Sequence, residues 1–307
     1  MKKTFRTLAL ACVLVMLAGV LPALAGGQVL TDMTGRQVTL DAPAQRLVVL
    51  AAADCEILYA LGAGDRLVGR GEYCNYPAEV LEVPAVQSGA QTNLEQILAL
   101  KPDAVVMPKM AQQKEQVEAL EKAGIPVFVT DAADIAGTYT AIQLMGDITG
   151  QTQQAEAVIS TMETGFAALQ EKVKAVNKPA SVYFEVSPLQ WGLWSAGQGT
   201  FMQEIAQILN LTNIFEDIDG WKEVSAEQVL SRDPDYIVTV AMYFGEGPTP
   251  VEEIKGHAGW ENLKALKNDA VFNADSDPFA RPGPRLLDAA QSLYDFVYGA
   301  QAENNAA

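Results

Sequence analysis

Histidine and cysteine are scarce in this chain of 307 residues, which holds one histidine, His257, and three cysteines. A protein zinc site takes several histidine or cysteine ligands at close spacing, and the sequence has no such cluster. The Gly-x-Ser-x-Gly and Gly-Lys-Ser/Thr motifs of hydrolases and phosphate-binding loops are also missing. The sequence therefore predicts no catalytic residue and no metal site, and catalysis is the weaker class of function. A secreted α/β enzyme stays open as an alternative hypothesis.

Basic residues are few as well: 21 stand against 38 acidic ones, for a net charge of −17. Three of them precede an apolar stretch at residues 8–21, and Ala23-Leu24-Ala25 offers small residues for cleavage. This stretch is shorter than the ~20 residues of a membrane-spanning helix. We therefore predict a signal peptide over residues 1–25 and an exported protein. The remaining 18 basic and 38 acidic residues give a net charge of −20, which argues against nucleic acid as a partner.

Two cysteines, Cys55 and Cys74, follow the predicted signal peptide. In an oxidising compartment such a pair forms a disulfide if the fold brings the sulfur atoms together. Two buried free thiols are the other interpretation. The sequence leaves both open.

One pattern of nine residues, Glu-Gln-[Ile/Val]-Leu-x-x-x-Pro-Asp, occurs twice, at residues 95–103 and 227–235. Each copy follows a helix-capping residue, Asn93 or Ser225, and precedes a β-branched run. Each copy is thus expected to form a short helix that leads into a strand. Its glutamate lies in the first helical turn, and its glutamine is placed to complete a capping box. The repeat predicts two lobes of similar construction.

Between the two copies, residues 152–177 contain apolar residues at intervals of three and four and no proline. This spacing predicts one helix of roughly 35–40 Å. On both sides of it, β-branched runs alternate with helical patterns, which indicates mainly parallel sheets. We predict an α/β fold of two lobes with mainly parallel sheets, joined by one long spine helix. The N-terminal lobe spans 26–149, the spine helix 150–178 and the C-terminal lobe 179–307.

Several short segments of the chain resemble a known family. They are residues 46–50 and 56–65, Tyr73-Cys74-Asn75-Tyr76-Pro77 and Arg281-Pro282-Gly283-Pro284-Arg285. In this order they resemble the helical-spine class of periplasmic substrate-binding proteins, which serve ABC importers of cobalamin, ferric siderophores and haem. The resemblance covers essentially the whole chain after the predicted signal peptide.

The resemblance implies a set of partners. A protein of this class is expected to be a monomer that binds a small metal–organic chelate and needs no cofactor of its own. It docks on the transmembrane permease dimer of an ABC importer through one glutamate per lobe, and Glu95 and Glu227 fall on those positions. The expected location is the periplasm or the outer face of the cytoplasmic membrane.

The resemblance also implies that the two lobes are Rossmann-like and that a ligand cleft lies between them. Tyr73, Trp221 and Asp277 match ligand-contacting positions of cobalamin-binding members in residue type, and Trp194 takes the place of another aromatic. Gly89 stands where those members carry an aromatic residue, as does Pro108. The predicted ligand-binding residues are Tyr73, Lys109, Trp194, Trp221, Tyr243, Asp277 and Arg281. Aromatic side chains suit the flat faces of a corrinoid, which is the preferred ligand. Lys109 and Arg281 would suit a ferric siderophore or haem instead.

Overall fold

The computed structural model describes residues 27–109, 113–176, 178–243 and 245–305. The predicted signal peptide lies outside these residues. Within them, no helix combines the length and the hydrophobicity that a membrane span requires.

The N-terminal lobe is a parallel sheet flanked by helices. It opens with a hairpin of β1 (Gln28–Thr31) and β2 (Gln37–Leu40). The sheet strands are β3 (Leu47–Val49), β4 (Leu67–Gly71), β5 (Ala85–Val86), β6 (Ala104–Pro108) and β7 (Val127–Thr130), in the order β5-β4-β3-β6-β7. The helices are α1 (Ala52–Ala60), α2 (Leu94–Ala99), α3 (Gln113–Lys122) and α4 (Ile135–Thr149).

The C-terminal lobe repeats this plan with fewer strands. Its sheet strands are β8 (Ala180–Glu185), β10 (Leu211–Asn213), β12 (Tyr236–Thr239) and β13 (Val271–Asn273), in the order β10-β8-β12-β13 and all parallel. An antiparallel ribbon of β9 (Trp194–Ala196) and β11 (Trp221–Glu223) lies beside it. The helices are α6 (Phe201–Ile208), α7 (Ala226–Arg232), α8 (Pro250–Lys255), α9 (Lys264–Lys267), α10 (Ser276–Ala280) and α11 (Leu286–Asn305). The predicted α/β fold with two lobes is confirmed.

The two copies of the nine-residue pattern have the same structure. Each forms a helix, α2 or α7, that leads into a strand beside the central strand of its sheet. The closing aspartate of each copy then accepts a backbone N–H at the start of that central strand. Asp103 Oδ2 lies 2.9 Å from the nitrogen of Arg46, and Asp235 Oδ2 lies 2.9 Å from that of Ser181.

The capping boxes differ between the copies. At α7, Ser225 caps the helix, and Gln228 Oε1 accepts the Ser225 N–H at 2.8 Å, as predicted. At α2, Asn93 caps the helix, but Gln96 Oε1 accepts the N–H of Gln87 at 3.1 Å. The predicted box is wrong there because the Asn93 N–H is already bonded to the Gln87 carbonyl.

A single helix, α5 (Thr152–Val176), joins the lobes and lies within the range predicted for the spine. It packs on α4 of the first lobe and on α6 and α11 of the second. A Cβ on Gly165 would stand 2.5 Å from the side chain of Leu287, so glycine allows α11 this close approach. One apolar cluster runs from β3 through α5 to β8, and it connects the two lobes as a continuous core.

Some elements were not predicted from the sequence. Helix α4 is capped at its start by Asp134, whose side chain accepts the Gly137 N–H, and is followed by Gly150 in a left-handed conformation. These residues are ordinary start and stop signals of a helix and could have revealed it. The strands β5, β9, β10 and β11 have two or three residues each, too few to show a periodic pattern.

Candidate functional site

A cavity of about 550 Å³ lies where the strands of both sheets end. Val186, Val240 and Ser276 follow β8, β12 and β13, and Ala132 reaches it from the first lobe after β7. The carboxyl ends of parallel strands are the usual binding edge of an α/β sheet. We call this space the main cavity. Because Ala132 belongs to one lobe and the other three residues to the second, it is an inter-lobe site.

A second cavity of about 240 Å³, the side cavity, belongs to the N-terminal lobe. It lies at the carboxyl ends of β3 and β6 and is bounded by Leu50 and Met107. Gly89 and Pro108, which stand where aromatic residues were expected, both line it. Their small side chains leave this space open. Tyr73 lies at its border with 73% of its surface exposed.

Three predicted aromatic residues belong to the second lobe, and two of them, Trp194 and Tyr243, do not line the main cavity. Trp221 lines it and packs against Phe201, with the ring centroids 5.4 Å apart, while 38% of its surface stays exposed. In the ribbon, Glu223 is paired with Trp194, so Trp194 and Trp221 share one face. Tyr243 follows β12, is half exposed, and donates its hydroxyl to the Gly247 carbonyl. The ribbon thus presents two predicted aromatic residues together.

A group of charged and polar side chains ties the lobes together beside the main cavity. Glu56 of α1 is only 4% exposed and faces two arginines of the second lobe. Its Oε1 accepts Arg281 Nη1 at 2.8 Å and Arg285 Nη2 at 2.6 Å, and its Oε2 accepts Arg285 Nε at 2.8 Å. Asn75 bonds Arg281 at 2.6 Å and Asp277 at 2.9 Å. We call these five residues the arginine lock.

The arginine lock gives Arg281 a structural role that the sequence did not predict. This residue lines the main cavity, as a ligand-binding residue should. Its guanidinium, however, contacts Glu56, Asn75 and also Asp277, 2.6 Å away. Its structural part is therefore to join the lobes, and contact with a ligand stays a prediction. Glu56 was not predicted at all, because nothing in α1 indicates a partner more than two hundred positions away.

Lys109 is also paired. Its Nζ lies 2.6 Å from Asp131 Oδ2, and both side chains are exposed. Phe279 of α10 is buried in the core. The described residues contain no cluster of His, Cys, Asp and Glu that could hold a metal ion.

Asp54 in the first lobe and Glu185 in the second are buried carboxylic acids that a threonine hydroxyl contacts. Asp54 Oδ2 accepts the Thr130 hydroxyl at 2.8 Å, and Glu185 Oε2 accepts that of Thr239 at 2.6 Å. Burial raises the pKa of Asp54 to about 6, although the bond from Thr130 acts against it. Burial likewise raises the pKa of Glu185 to about 7, against the bonds from Thr239 and the Ser187 N–H. At pH 7, a carboxyl group with a pKa of about 6 is mostly ionised and one with a pKa of about 7 is about half ionised, so both acids carry charge near neutral pH.

The two predicted docking glutamates occupy equivalent places. Glu95 and Glu227 are exposed in the first turns of α2 and α7. Each helix ends before a sheet strand begins, so its first turn lies toward the carboxyl edge, where the cleft opens. The Glu227 carboxylate accepts hydrogen bonds from its own backbone N–H and from the Ser225 hydroxyl. These bonds lower the pKa of Glu227 and keep it ionised.

Comparison with known proteins identifies the family. Residues 47–278 match the family model described as periplasmic binding protein. The chain is 31% identical over 272 residues to an uncharacterised ABC transporter substrate-binding lipoprotein, YvrC, of Bacillus subtilis, covering 87% of this chain and 84% of that one. It is 32% identical over 252 residues to a vitamin B12-binding protein of Salmonella paratyphi A, covering 81% and 89%.

Among solved structures, a possible iron-binding periplasmic solute-binding protein of Staphylococcus epidermidis aligns with a TM-score of 0.73 at 27% identity, covering 84% of this chain and 100% of that one. The chain belongs to the periplasmic binding protein family. It is a substrate-binding protein of an ABC transporter, and the expectation that it is not an enzyme is confirmed.

Replacing Glu56 with glutamine should destabilise the fold, because two half-buried guanidinium groups lose their counter-charge. We expect the free energy of unfolding in urea to fall by about 3 kcal/mol. Glu82→Gln, at an exposed glutamate of the same lobe, is the matched control and should change it by less than ~0.5 kcal/mol. Equal values for the two variants would show that the lock does not stabilise the closed pair of lobes.

Glu185 should make stability depend on pH. Its pKa is about 7 in the folded protein and has a reference value of 4.5, so the folded state holds the proton more tightly. This stabilisation is complete below pH 4.5 and is lost as the pH rises through 7. In urea titrations, the free energy of unfolding of Glu185→Gln relative to the unmodified protein should rise by about 2–3 kcal/mol between pH 4 and pH 8. An equal difference at both pH values would contradict the raised pKa.

Proposed function

We propose that this protein captures a metal–organic chelate, with a corrinoid preferred, in the cleft between its lobes and delivers it to an ABC importer permease. It would act after export, in the periplasm or on the outer face of the cytoplasmic membrane. The observation that carries the proposal is the pair of cavities at the carboxyl edges of the two sheets, with an exposed tryptophan on one wall. A broad ligand with apolar faces and a polar rim fits this arrangement.

The charge of the cleft favours a corrinoid over an anionic chelate. Among the described residues that line the two cavities, the charged ones are Asp277 and Arg281, and they are paired at 2.6 Å. Siderophores with several carboxylates and the propionates of haem need unpaired arginines or lysines. Lys109, the other predicted cation, is bound to Asp131. A ligand of low net charge therefore suits the site better.

The side cavity supports the same choice. Its polar lining is uncharged and includes Ser88, Thr92 and Gln116. Hydroxyl and carboxamide groups of this kind form hydrogen bonds with amide groups, which edge a corrin ring. The space opened by Gly89 and Pro108 would take a neutral side group of the ligand, while its broad face lies against Trp221. The vitamin B12-binding relative at 32% identity agrees with this assignment.

Delivery would use the two exposed glutamates. Glu95 and Glu227 stand one per lobe, at the starts of equivalent helices on the side where the cleft opens. Permease arginines that face these carboxylates would form charge-assisted hydrogen bonds. Because the pair spans both lobes, the permease would bind the protein over the mouth of the cleft.

Trp221→Ala should weaken ligand binding, since a half-exposed indole loses its contact with the flat face of the chelate. We expect the dissociation constant of cyanocobalamin, measured by equilibrium dialysis with detection of the ligand, to rise about fivefold or more. Val29→Ala, at an exposed side chain of the β1–β2 hairpin, is the control and should leave it unchanged.

A panel of ligands separates the alternatives. Cyanocobalamin and cobinamide should bind more tightly than haem or a ferric hydroxamate. Preference for an anionic chelate would overturn the choice of ligand, and no binding of any chelate would overturn the function. An unaltered dissociation constant in Trp221→Ala would remove this residue from the site.

Reversal of both docking charges, Glu95→Lys with Glu227→Lys, should abolish uptake and leave ligand affinity intact. The reason is that lysines would repel the permease arginines, while neither glutamate lines a cavity. Uptake of radiolabelled cobalamin by cells that depend on this protein and its importer is the measurement. The control is Glu156→Lys with Glu171→Lys, an equal charge change on α5. Normal uptake by the first variant would exclude the docking role.

A further inference from the structure

Cys55 and Cys74 are in direct contact inside the N-terminal lobe. Their sulfur atoms lie 3.0 Å apart, and both residues are buried as free thiols. Cys55 belongs to the rigid helix α1, whereas Cys74 lies in the irregular segment after β4. No other cysteine follows residue 25. The two thiols are therefore each other's only intramolecular partner in the exported chain.

Both cysteines immediately precede members of the arginine lock. Cys55 is followed by Glu56, which holds the two arginines of the opposite lobe. Cys74 is followed by Asn75, which bonds Arg281 and Asp277, and then by Tyr76, whose ring lies 4.0 Å beneath the Arg285 guanidinium. The contact between the sulfurs thus joins the two segments of the first lobe that meet the second.

We propose that Cys55 and Cys74 are a disulfide site, and that this disulfide fixes the N-terminal half of the arginine lock. The segment of residues 72–77 needs such a restraint because it has no helical or strand hydrogen bonds of its own. Arg70 Nη1 binds its carbonyls at Glu72 and Cys74, but at 3.3 and 3.2 Å. A covalent link to α1 removes conformations in which Asn75 leaves the lock and Tyr76 leaves the Arg285 guanidinium.

The oxidation follows thiol–disulfide exchange with the active disulfide of a protein thiol oxidase in the exported compartment. The disulfide of the oxidase breaks, a bond forms between the two Sγ atoms, and the two protons and two electrons of the thiols pass to the sulfurs of the oxidase.

Exchange should take place while the chain folds. Attack requires a thiolate and access to the oxidant. In the folded lobe, the hydrogen bond to Cys74 and burial raise the pKa of the Cys55 thiol, and both sulfurs are shielded from solvent. Oxidised glutathione should therefore cross-link the chain during refolding and act at least about tenfold more slowly on the folded, reduced protein.

The first test is chemical. The full-length chain is produced in cells that export it, the free thiols of the exported protein are blocked with iodoacetamide in denaturant, and its mass is measured before reduction and again after reduction and a second treatment with iodoacetamide. We expect no alkylation before reduction and two modified cysteines after it. Two modified cysteines without reduction, both in the exported protein and after refolding with oxidised glutathione, would overturn the site.

The second test measures whether the disulfide between Cys55 and Cys74 stabilises the arginine lock. Reduction should lower the melting temperature by about 5 °C or more. It should also speed amide hydrogen exchange in residues 72–77 by about tenfold or more. The variant Cys55→Ser with Cys74→Ser, treated with the same reductant, shows any effect of the reagent elsewhere. If amide hydrogen exchange at Asn75 and Tyr76 does not change on reduction, the disulfide does not restrain this segment, even where the disulfide forms.

The effect on ligand rests on the proposed function and is measured separately. The dissociation constant of cyanocobalamin should rise about two- to tenfold on reduction, because a freed segment must be ordered again when the cleft is filled. Equal dissociation constants for the oxidised and the reduced protein would show that the disulfide does not affect ligand binding. If neither form binds cyanocobalamin, the proposed ligand is wrong. The hydrogen-exchange measurement would still show whether the disulfide restrains residues 72–77.

Discussion

The arrangement of the lobes depends on one buried carboxylate. Glu56 is almost completely withdrawn from water, and its charge is balanced by two arginines from the other lobe. Such a group is costly to bury alone, so the folded protein keeps both arginines within reach. A second set of bonds also joins the lobes, since Glu204 accepts the Ile135 N–H at 2.6 Å and the Phe201 N–H donates to the Ala133 carbonyl. Both sets include residues at the lining of the main cavity, Arg281 in the first and Phe201 in the second.

These bonds and the spine helix bear on how the protein works. A continuous apolar core follows α5 from one lobe to the other, and a single stiff helix resists the bending that flexible connecting strands would allow. Small adjustments of the lobes are therefore expected when the ligand binds. Recognition would then come from a preformed cleft with neutral polar groups and exposed aromatic faces. The permease would contact both lobes at the same time, through one exposed glutamate on each lobe.

Much of the fold could be predicted from local patterns. The repeat around Glu95 and Glu227 gave two lobes because capping, helix and strand signals all lie within a few residues of each other. The spine helix was recognisable from 25 residues of regular apolar spacing. Helix α4 was missed although Asp134 and Gly150 mark its ends.

The site was harder to predict, since its chemistry depends on distant pairs. Arg281 and Lys109 are cations in the sequence, but the fold gives each a carboxylate partner, and this changes the expected charge of the ligand. Glu56 pairs with Arg281 and Arg285, which follow it by 225 and 229 positions in the chain. No local sequence signal indicates this pairing. The side cavity is equally a result of packing, because Gly89 and Pro108 are far apart in sequence and meet only in the folded lobe.

Capture of a corrinoid between two locked lobes is tested most directly by locating the metal. A crystal structure with cyanocobalamin, with anomalous scattering recorded at the cobalt edge, should show one cobalt peak between the main cavity and the side cavity. Arg281 should remain bonded to Glu56 in that complex. A cobalt peak outside the cleft, or a complex in which the arginines have left Glu56, would contradict this mode of binding.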